Sequence, residues 1–190
     1  MPLDLLRCTE ALLEPERLPT YSVIVSPRDI TQIKHRTVEN PYLHIVLFQP
    51  EIPANTGNIA RLCAAAELPL HLIHPLGFRL DDKHLKRAGL DYWTEVDVRQ
   101  HASFDAFIEE NQNRGSIIGF SRHAAPLYTQ AIVNYGDFLL FGPETRGLPS
   151  KIMDAFPCYR VPMWGQVRSL NLSTTVGIVA YHYLHQLKRF

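Results

Sequence analysis

The sequence predicts an α/β domain in which a mostly parallel sheet is covered by helices on both faces. Three observations carry that expectation. Short apolar runs alternate with stretches of helical period from residue 43 to residue 188. Glycine, proline and fixed polar groups gather where the apolar runs end. The composition, 46% hydrophobic and 20% charged over 190 residues, is that of a globular chain with room for one full domain and a short extension.

Residues 1–41 read as the extension. Pro2, Pro15, Pro19, Pro27 and Pro41 punctuate short mixed stretches, and only residues 21–25 look strand-like. The domain proper, 42–190, opens with an apolar strand at 43–48. A turn-rich stretch follows, then a helix beginning near Asn55 and Thr56, in which Ile59, Leu62, Cys63 and Ala66 fall at i, i+3, i+4 and i+7 on one buried face. Asn55, Asn58 and Arg61 lie on a separate polar stripe. Residues 70–74 are the next strand and 81–88 a short charged helix, with Lys83, Lys86 and Arg87 on one side as an RNA contact or a solvated face. Ser103 caps a helix running to about Asn111. Strands follow at 116–121, 138–141 and 159–162, and a helix over 170–188 closes the chain. Leu172, Val176, Val179, Tyr183 and Leu187 form its apolar stripe, with Ile178 and Tyr181 off it. A helix apolar on two sides is either sunk in its own core or partnered by another subunit.

Bulk properties exclude several classes. No apolar run approaches the roughly 18 residues of a membrane span. The first residues, with Asp4, Glu10 and Glu14 among leucines, lack the basic flank and apolar stretch of a secretory signal. Cys8, Cys63 and Cys158 have no metal-ligand spacing, so reduced thiols in a cytoplasmic protein are expected, and no metal site. Nineteen basic residues balance nineteen acidic ones, which speaks mildly against a nucleic-acid binder unless a basic face is local.

Chemistry is expected at strand ends, where open α/β sheets bind ligands. The first segment, Pro50-Glu51-Ile52-Pro53-Ala54-Asn55-Thr56-Gly57-Asn58-Ile59-Ala60-Arg61, brings a strand through a rigid turn to a helix start. The free N–H groups there favour an anion, and Arg61 can clamp a phosphate. Equally, Asn55 can be a plain helix cap and Arg61 a surface arginine. The second, Phe141-Gly142-Pro143-Glu144-Thr145-Arg146-Gly147-Leu148-Pro149, pairs glycines that admit a ligand to the backbone with stiffening prolines, and holds Glu144 and Arg146 as polar contacts. It is neither a Walker loop nor a GxGxxG turn, which disfavours a dehydrogenase-like nucleotide binder. The third runs from Val161 through Trp164, Arg168, Ser169 and Asn171 to Ser173, with polar groups converging on the start of the last helix.

In order and wording these segments resemble the three motifs of the SPOUT RNA methyltransferases, and most nearly those of the small TrmL (YibK) group, which methylates the wobble-position ribose of certain tRNAs. The likeness runs from about residue 43 to 187 and includes Arg87-Ala88-Gly89-Leu90-Asp91-Tyr92. It implies a sheet whose C-terminal part is threaded into a deep trefoil knot, a feature too rare for periodicity to propose. It also implies a homodimer that binds S-adenosylmethionine in the knot and the anticodon stem-loop of tRNA across both subunits. The expected reaction is 2′-O-methylation of the wobble cytidine or uridine. The rivals are the same chemistry at another tRNA or rRNA position and a silent RNA-binding homologue.

Carried over position by position, the resemblance assigns the cofactor pocket to Phe120, Gly142, Glu144, Val161, Ser169 and Leu170. It assigns catalysis to Arg61, Ser169, Asn171 and Tyr181, and RNA contact to Asn55, Arg61, Arg146 and Arg168. The family nominates Arg61 as base. A guanidinium stays protonated, so holding a phosphate and the ribose suits Arg61 better. The chain departs from the family at Phe120-Ser121-Arg122-His123, where a Thr-Lys pair is usual and Arg122 or His123 can take over a basic contact. Trp164-Gly165-Gln166-Val167 replaces a more polar stretch, and residues 1–41 have no counterpart in minimal members.

Overall fold

The computed structural model describes residues 36–80 and 93–190. Six strands form one sheet: β1 (Leu43–Phe48), β2 (Leu70–Ile73), β3 (Val98–His101), β4 (Ile117–Phe120), β5 (Asp137–Phe141) and β6 (Cys158–Tyr159). Their spatial order is β3-β2-β1-β5-β4-β6 and every pairing is parallel. The α-helices among the described residues are α1 (Pro53–Ala66), α2 (Phe104–Asn111), α3 (Ser150–Ala155) and α4 (Leu172–Gln186).

β1 is central, and both of its faces are buried. Leu43, Ile45 and Leu47 pack with Ile59 and Cys63 of α1 and Val176, Val179 and Tyr183 of α4. Val46 and Phe48 point the other way, into Phe107 of α2, Ile152 of α3, and Phe138 and Leu140 of β5. Each such side chain contributes about 1.5–3 kcal/mol through burial. A strand covered on both faces reads as a continuous apolar run, and that is why residues 43–48 were legible as a strand.

Several expectations change at the edges. β3 was not expected from the sequence, because Val98-Arg99-Gln100-His101 is largely polar; it is an edge strand held by its pairing with β2. The short α3 was not expected either. α1 begins at Pro53, with Ile52 as an N-cap lacking a side-chain hydrogen bond, so Asn55 is not the cap. Proline suits this first position because its missing N–H would have no partner there. The last strand stops at Tyr159, since the Arg160 backbone turns to pair with residues 126–128 instead. Ser103 does cap α2, its hydroxyl accepting from Ala106 N–H at 3.1 Å. α4 is shorter than expected and is capped by Asn171, whose Oδ1 accepts from Ser173 N–H at 2.8 Å and Thr174 N–H at 3.3 Å. The expected strand at 21–25, the helix at 81–88 and its Lys83, Lys86 and Arg87 lie outside the described residues. Residues 36–41 lie against the domain: Arg36 pairs with Glu67 at 2.5 Å and Val38 N–H donates to Asp97 at 2.9 Å.

α4 buries Val176, Val179 and Tyr183 completely, while Ile178 and Tyr181 are 37% and 46% exposed. Among the described residues the second apolar side of the helix is therefore only partly covered, with Phe190 against the Tyr181 ring. No helix among the described residues is long and apolar enough to cross a membrane.

On the α2 side, three buried imidazoles cross the sheet in a line. His44 Nδ1 lies 3.0 Å from His71 Nε2, His71 Nδ1 lies 2.9 Å from His101 Nε2, and His101 Nδ1 lies 2.7 Å from Glu110. Burial, seconded by Arg99, lowers the His44 pKa from 6.5 to about 3, and burial likewise lowers His71 and His101. Their neutral forms belong to the folded state, so the unfolded chain binds more protons below its own pKa near 6.5. Their stabilising effect is complete above that value and is lost as pH falls. We expect urea unfolding between pH 6.5 and 5 to show stability dropping by up to about 1.4 kcal/mol per pH unit for His44 alone. The slope should be shallower in His44→Phe, and a flat profile in the wild type would contradict the assignment.

Candidate active site

The three polar segments marked in the sequence meet at the carboxyl ends of β1, β5 and β4. Glu144, in the loop after β5, reaches the start of α1, where its carboxylate accepts from Glu51 N–H at 2.8 Å, Ile52 N–H at 3.2 Å and Asn55 Nδ2 at 3.0 Å. The helix lacks its own side-chain cap, and Glu144 supplies an acceptor to the N–H of its N-cap residue Ile52 and of Glu51 just before it. Glu51 returns the contact: its carboxylate accepts from Thr145 N–H at 3.0 Å and Thr145 Oγ1 at 2.7 Å, with Arg146 at 3.5 Å. The Thr145 hydroxyl, assisted by its N–H and by Arg146, holds the Glu51 carboxyl below the usual carboxylate range.

The third segment joins through Asn55. Its Oδ1 accepts from Asn171 Nδ2 at 2.9 Å, while Asn171 Oδ1 caps α4. Asn55 is thus bonded at both ends of its amide and is only 6% exposed. The loop after β5 folds back tightly over Gly142, where a Cβ would stand 2.3 Å from Leu148 N, so no larger residue fits. Gly147 closes the turn at φ +70°, a conformation that favours glycine.

Between these segments lies an open cleft. Phe120, Gly142, Glu144, Val161, Ser169 and Leu170, the residues expected to bind the cofactor, all line it. Phe120 and Phe141 stack at 5.2 Å on its floor. Asn55 and Asn171 tie its walls together. Arg146 and Arg168 are exposed beside the lining residues Glu144, Gly147 and Ser169. Arg61 and Tyr181 do not line the cleft: Arg61 stands on the exposed side of α1, about 9 Å beyond Asn55 by helical rise, and Tyr181 about 9 Å beyond the lining residue Thr175 on α4.

Lining residues that the sequence did not single out include Met163 and Thr175. Thr175 follows Asn171 by one helical turn and donates to its carbonyl at 3.0 Å, a spacing that could have pointed to it. Arg122, offered from the sequence as a basic contact, also lines the cleft and donates to the Arg168 carbonyl at 3.0 Å. Among the described residues no group of three or more His, Cys, Asp or Glu side chains could hold a metal ion.

Removing the Glu144 acceptors strands two backbone donors and the Asn55 amide. Glu144→Ala should lower unfolding stability by about 1–3 kcal/mol. Its effect and that of Asn55→Ala should fall short of additivity by about 1 kcal/mol in a double-mutant cycle measured by chemical denaturation. Strict additivity would show that the two side chains are not coupled.

Comparison with known proteins agrees with this architecture. The chain matches the SpoU rRNA methylase family over residues 42–181. It is 48% identical over 149 residues to the tRNA (cytidine(34)-2'-O)-methyltransferase of Escherichia coli and 46% identical over 152 residues to that of Yersinia pestis. Each alignment spans 76% of this chain and 94% of the relative. A solved structure described as giving structural insights into the 2-OH methylation of C/U34 on tRNA is 50% identical, with a TM-score of 0.75, and is covered over its full length by 80% of this chain. The AdoMet-bound rRNA methyltransferase of Sinorhizobium meliloti, at 21% identity and a TM-score of 0.70 over 79% of this chain and 58% of its own, shares the fold. With the match covering most of its length and its three motifs meeting at one cleft, the chain belongs to the SpoU methylase family.

Proposed function

We propose that this protein transfers a methyl group from S-adenosylmethionine to the ribose 2′-hydroxyl of the wobble nucleotide, residue 34, of tRNA. The observation that carries the reading is the cleft itself, which is lined from the ends of β4 and β5 and from the third motif, with the first motif braced against it. The family relationship and relatives near 50% identity named for this reaction support it.

The lining suits the cofactor. Phe120, Phe141 and Leu170 offer apolar surface for an adenine ring, Ser121, Ser169 and Thr175 offer hydroxyls for its polar edges, and Glu144 gives the wall a negative charge that suits a sulfonium. When bound, S-adenosylmethionine supplies an electrophilic methyl group, a chemistry that needs no metal. The chain's part is to position the acceptor and accommodate its proton. Arg61 holds an RNA phosphate and the ribose, since a guanidinium does not act as a base near neutrality, and the proton leaves to a phosphate oxygen or water. Arg146 and Arg168 bind the RNA backbone beside the cleft. Ser169 orients groups at the wall, and Asn171 acts by fixing the start of α4.

The active unit in this reading is a homodimer acting on the anticodon stem-loop in the cytoplasm. Tyr181, partly exposed on α4, supports a subunit contact beside it, which also gives it a route to the partner's substrate. The segment between β6 and α4 runs from the sheet edge past the loop after β5 to Asn55, the course expected of a trefoil knot. Residues 42–190 form the catalytic domain and 1–41 an extension to it.

Methyl transfer from radiolabelled S-adenosylmethionine to unmodified tRNA, followed by nuclease digestion, tests the reading. Label should appear in a 2′-O-methyl nucleotide at the wobble position and fall by on the order of 100-fold in Arg61→Ala. Label at another nucleotide would overturn the wobble assignment, and cofactor binding without transfer to tRNA would overturn the activity.

A further inference from the structure

Trp164 is 91% exposed, on the loop between β6 and α4, in a domain whose other tryptophan, Trp93, is 4% exposed. Leaving an indole in water forgoes the large stabilisation its burial would give, so its position calls for a ligand. Trp164 stands in a shallow apolar groove with Tyr128, Pro162, Val167 and Ile178. Val161, Met163 and Leu170 line both this groove and the cleft assigned to the cofactor, so the two hollows share a wall.

That adjacency constrains what the groove holds. The acceptor oxygen must lie beside the methyl donor, and the base of the same nucleotide is only a few bonds away through the ribose. A base so tethered has to occupy space next to the cofactor cleft, on a surface that accepts its flat apolar face. The groove has that position, and an indole is a good stacking partner for any nucleobase. Arg168, exposed on the same loop, is placed to meet the attached phosphate.

We propose that Trp164 is a substrate-positioning residue: its indole stacks on the base of the nucleotide being methylated and presents the 2′-hydroxyl to the cleft. Stacking tolerates any base, so Trp164 fixes the acceptor's place and leaves base identity to other contacts. The proposal rests on the methyl-transfer reading above.

The test combines kinetics with fluorescence on the full-length protein. Trp164→Ala should raise KM for tRNA on the order of ten-fold, and Trp164→Phe should restore most of the loss. Cofactor affinity by calorimetry, thermal midpoint and oligomeric state should not change. In a Trp93→Phe background, where Trp164 is the single tryptophan, an anticodon stem-loop oligonucleotide should quench the indole fluorescence. The proposal is overturned if wild type methylates tRNA but Trp164→Ala keeps its KM, or if the stem-loop leaves the emission unquenched. It is also overturned if Trp164→Ala dissociates an oligomer, since the groove would then be a subunit contact. A wild type that binds cofactor yet transfers nothing to tRNA overturns the methyl-transfer reading and this proposal together.

Discussion

The side chain of Asn55 holds this site together. A carboxamide has one accepting and one donating end, and here each is used by a distant part of the chain: Asn171 donates to Oδ1 and Nδ2 donates to Glu144. Reversing the amide would set donor against donor on one side and oxygen against carboxylate on the other, so its orientation is fixed by its partners. The start of α1, the loop after β5 and the start of α4 therefore have to be in place together. The cleft is the space left between the second and third of these, and the first braces it. Because Asn55 is almost fully buried, solvent cannot readily replace a lost partner, and the arrangement is held more strongly than two surface hydrogen bonds would be.

The capping of α1 follows the same logic. A helix with Ser or Asp at its N-cap is satisfied locally, whatever the rest of the protein does. α1 has Ile52 there and no acidic residue in its first turn, and the N–H of that N-cap is met by Glu144, 92 residues further along the chain. Glu51, beside that start, sends its own carboxylate back to Thr145. The exchange makes each segment's local geometry conditional on the other's, which suits a cleft that must be preformed for positioning catalysis. Glu144 thereby has a structural part as well. The carboxylate lines the cleft, but its hydrogen bonds go to the protein.

Much of this was readable from the sequence because it rests on short-range patterns. The buried β1, β4 and β5 showed as apolar runs, Ser103 as a cap, and the three motifs as glycine, proline and polar groups at strand ends. What escaped depends on contacts that no window of sequence contains. β3 is a strand because β2 offers it an edge, not because of its own residues. Ile52 rather than Asn55 caps α1 because Asn55 is claimed by Glu144 and Asn171. Strand β6 ends early because the Arg160 backbone finds better partners at 126–128. The histidine line across β1, β2 and β3 was invisible for the same reason, since His44, His71 and His101 become neighbours only when the register is set.

A formal net charge of zero is an awkward starting point for a protein that handles RNA, and the placement of charges resolves it. A phosphate responds to the charges that face it through water, within a Debye length of about 8 Å at physiological salt, and not to the total. Near the cleft, the two carboxylates are turned inward: Glu144 onto backbone N–H groups of the α1 start and Asn55, Glu51 onto Thr145 and Arg146. Arg61, Arg146 and Arg168 carry their residues on the exposed side. These hydrogen bonds take up accepting capacity of both carboxylates, and in the reading proposed above the exposed Arg61, Arg146 and Arg168 make the surface basic where the substrate would arrive. Pairing two such surfaces across α4 would extend the basic area without changing the net charge of either chain.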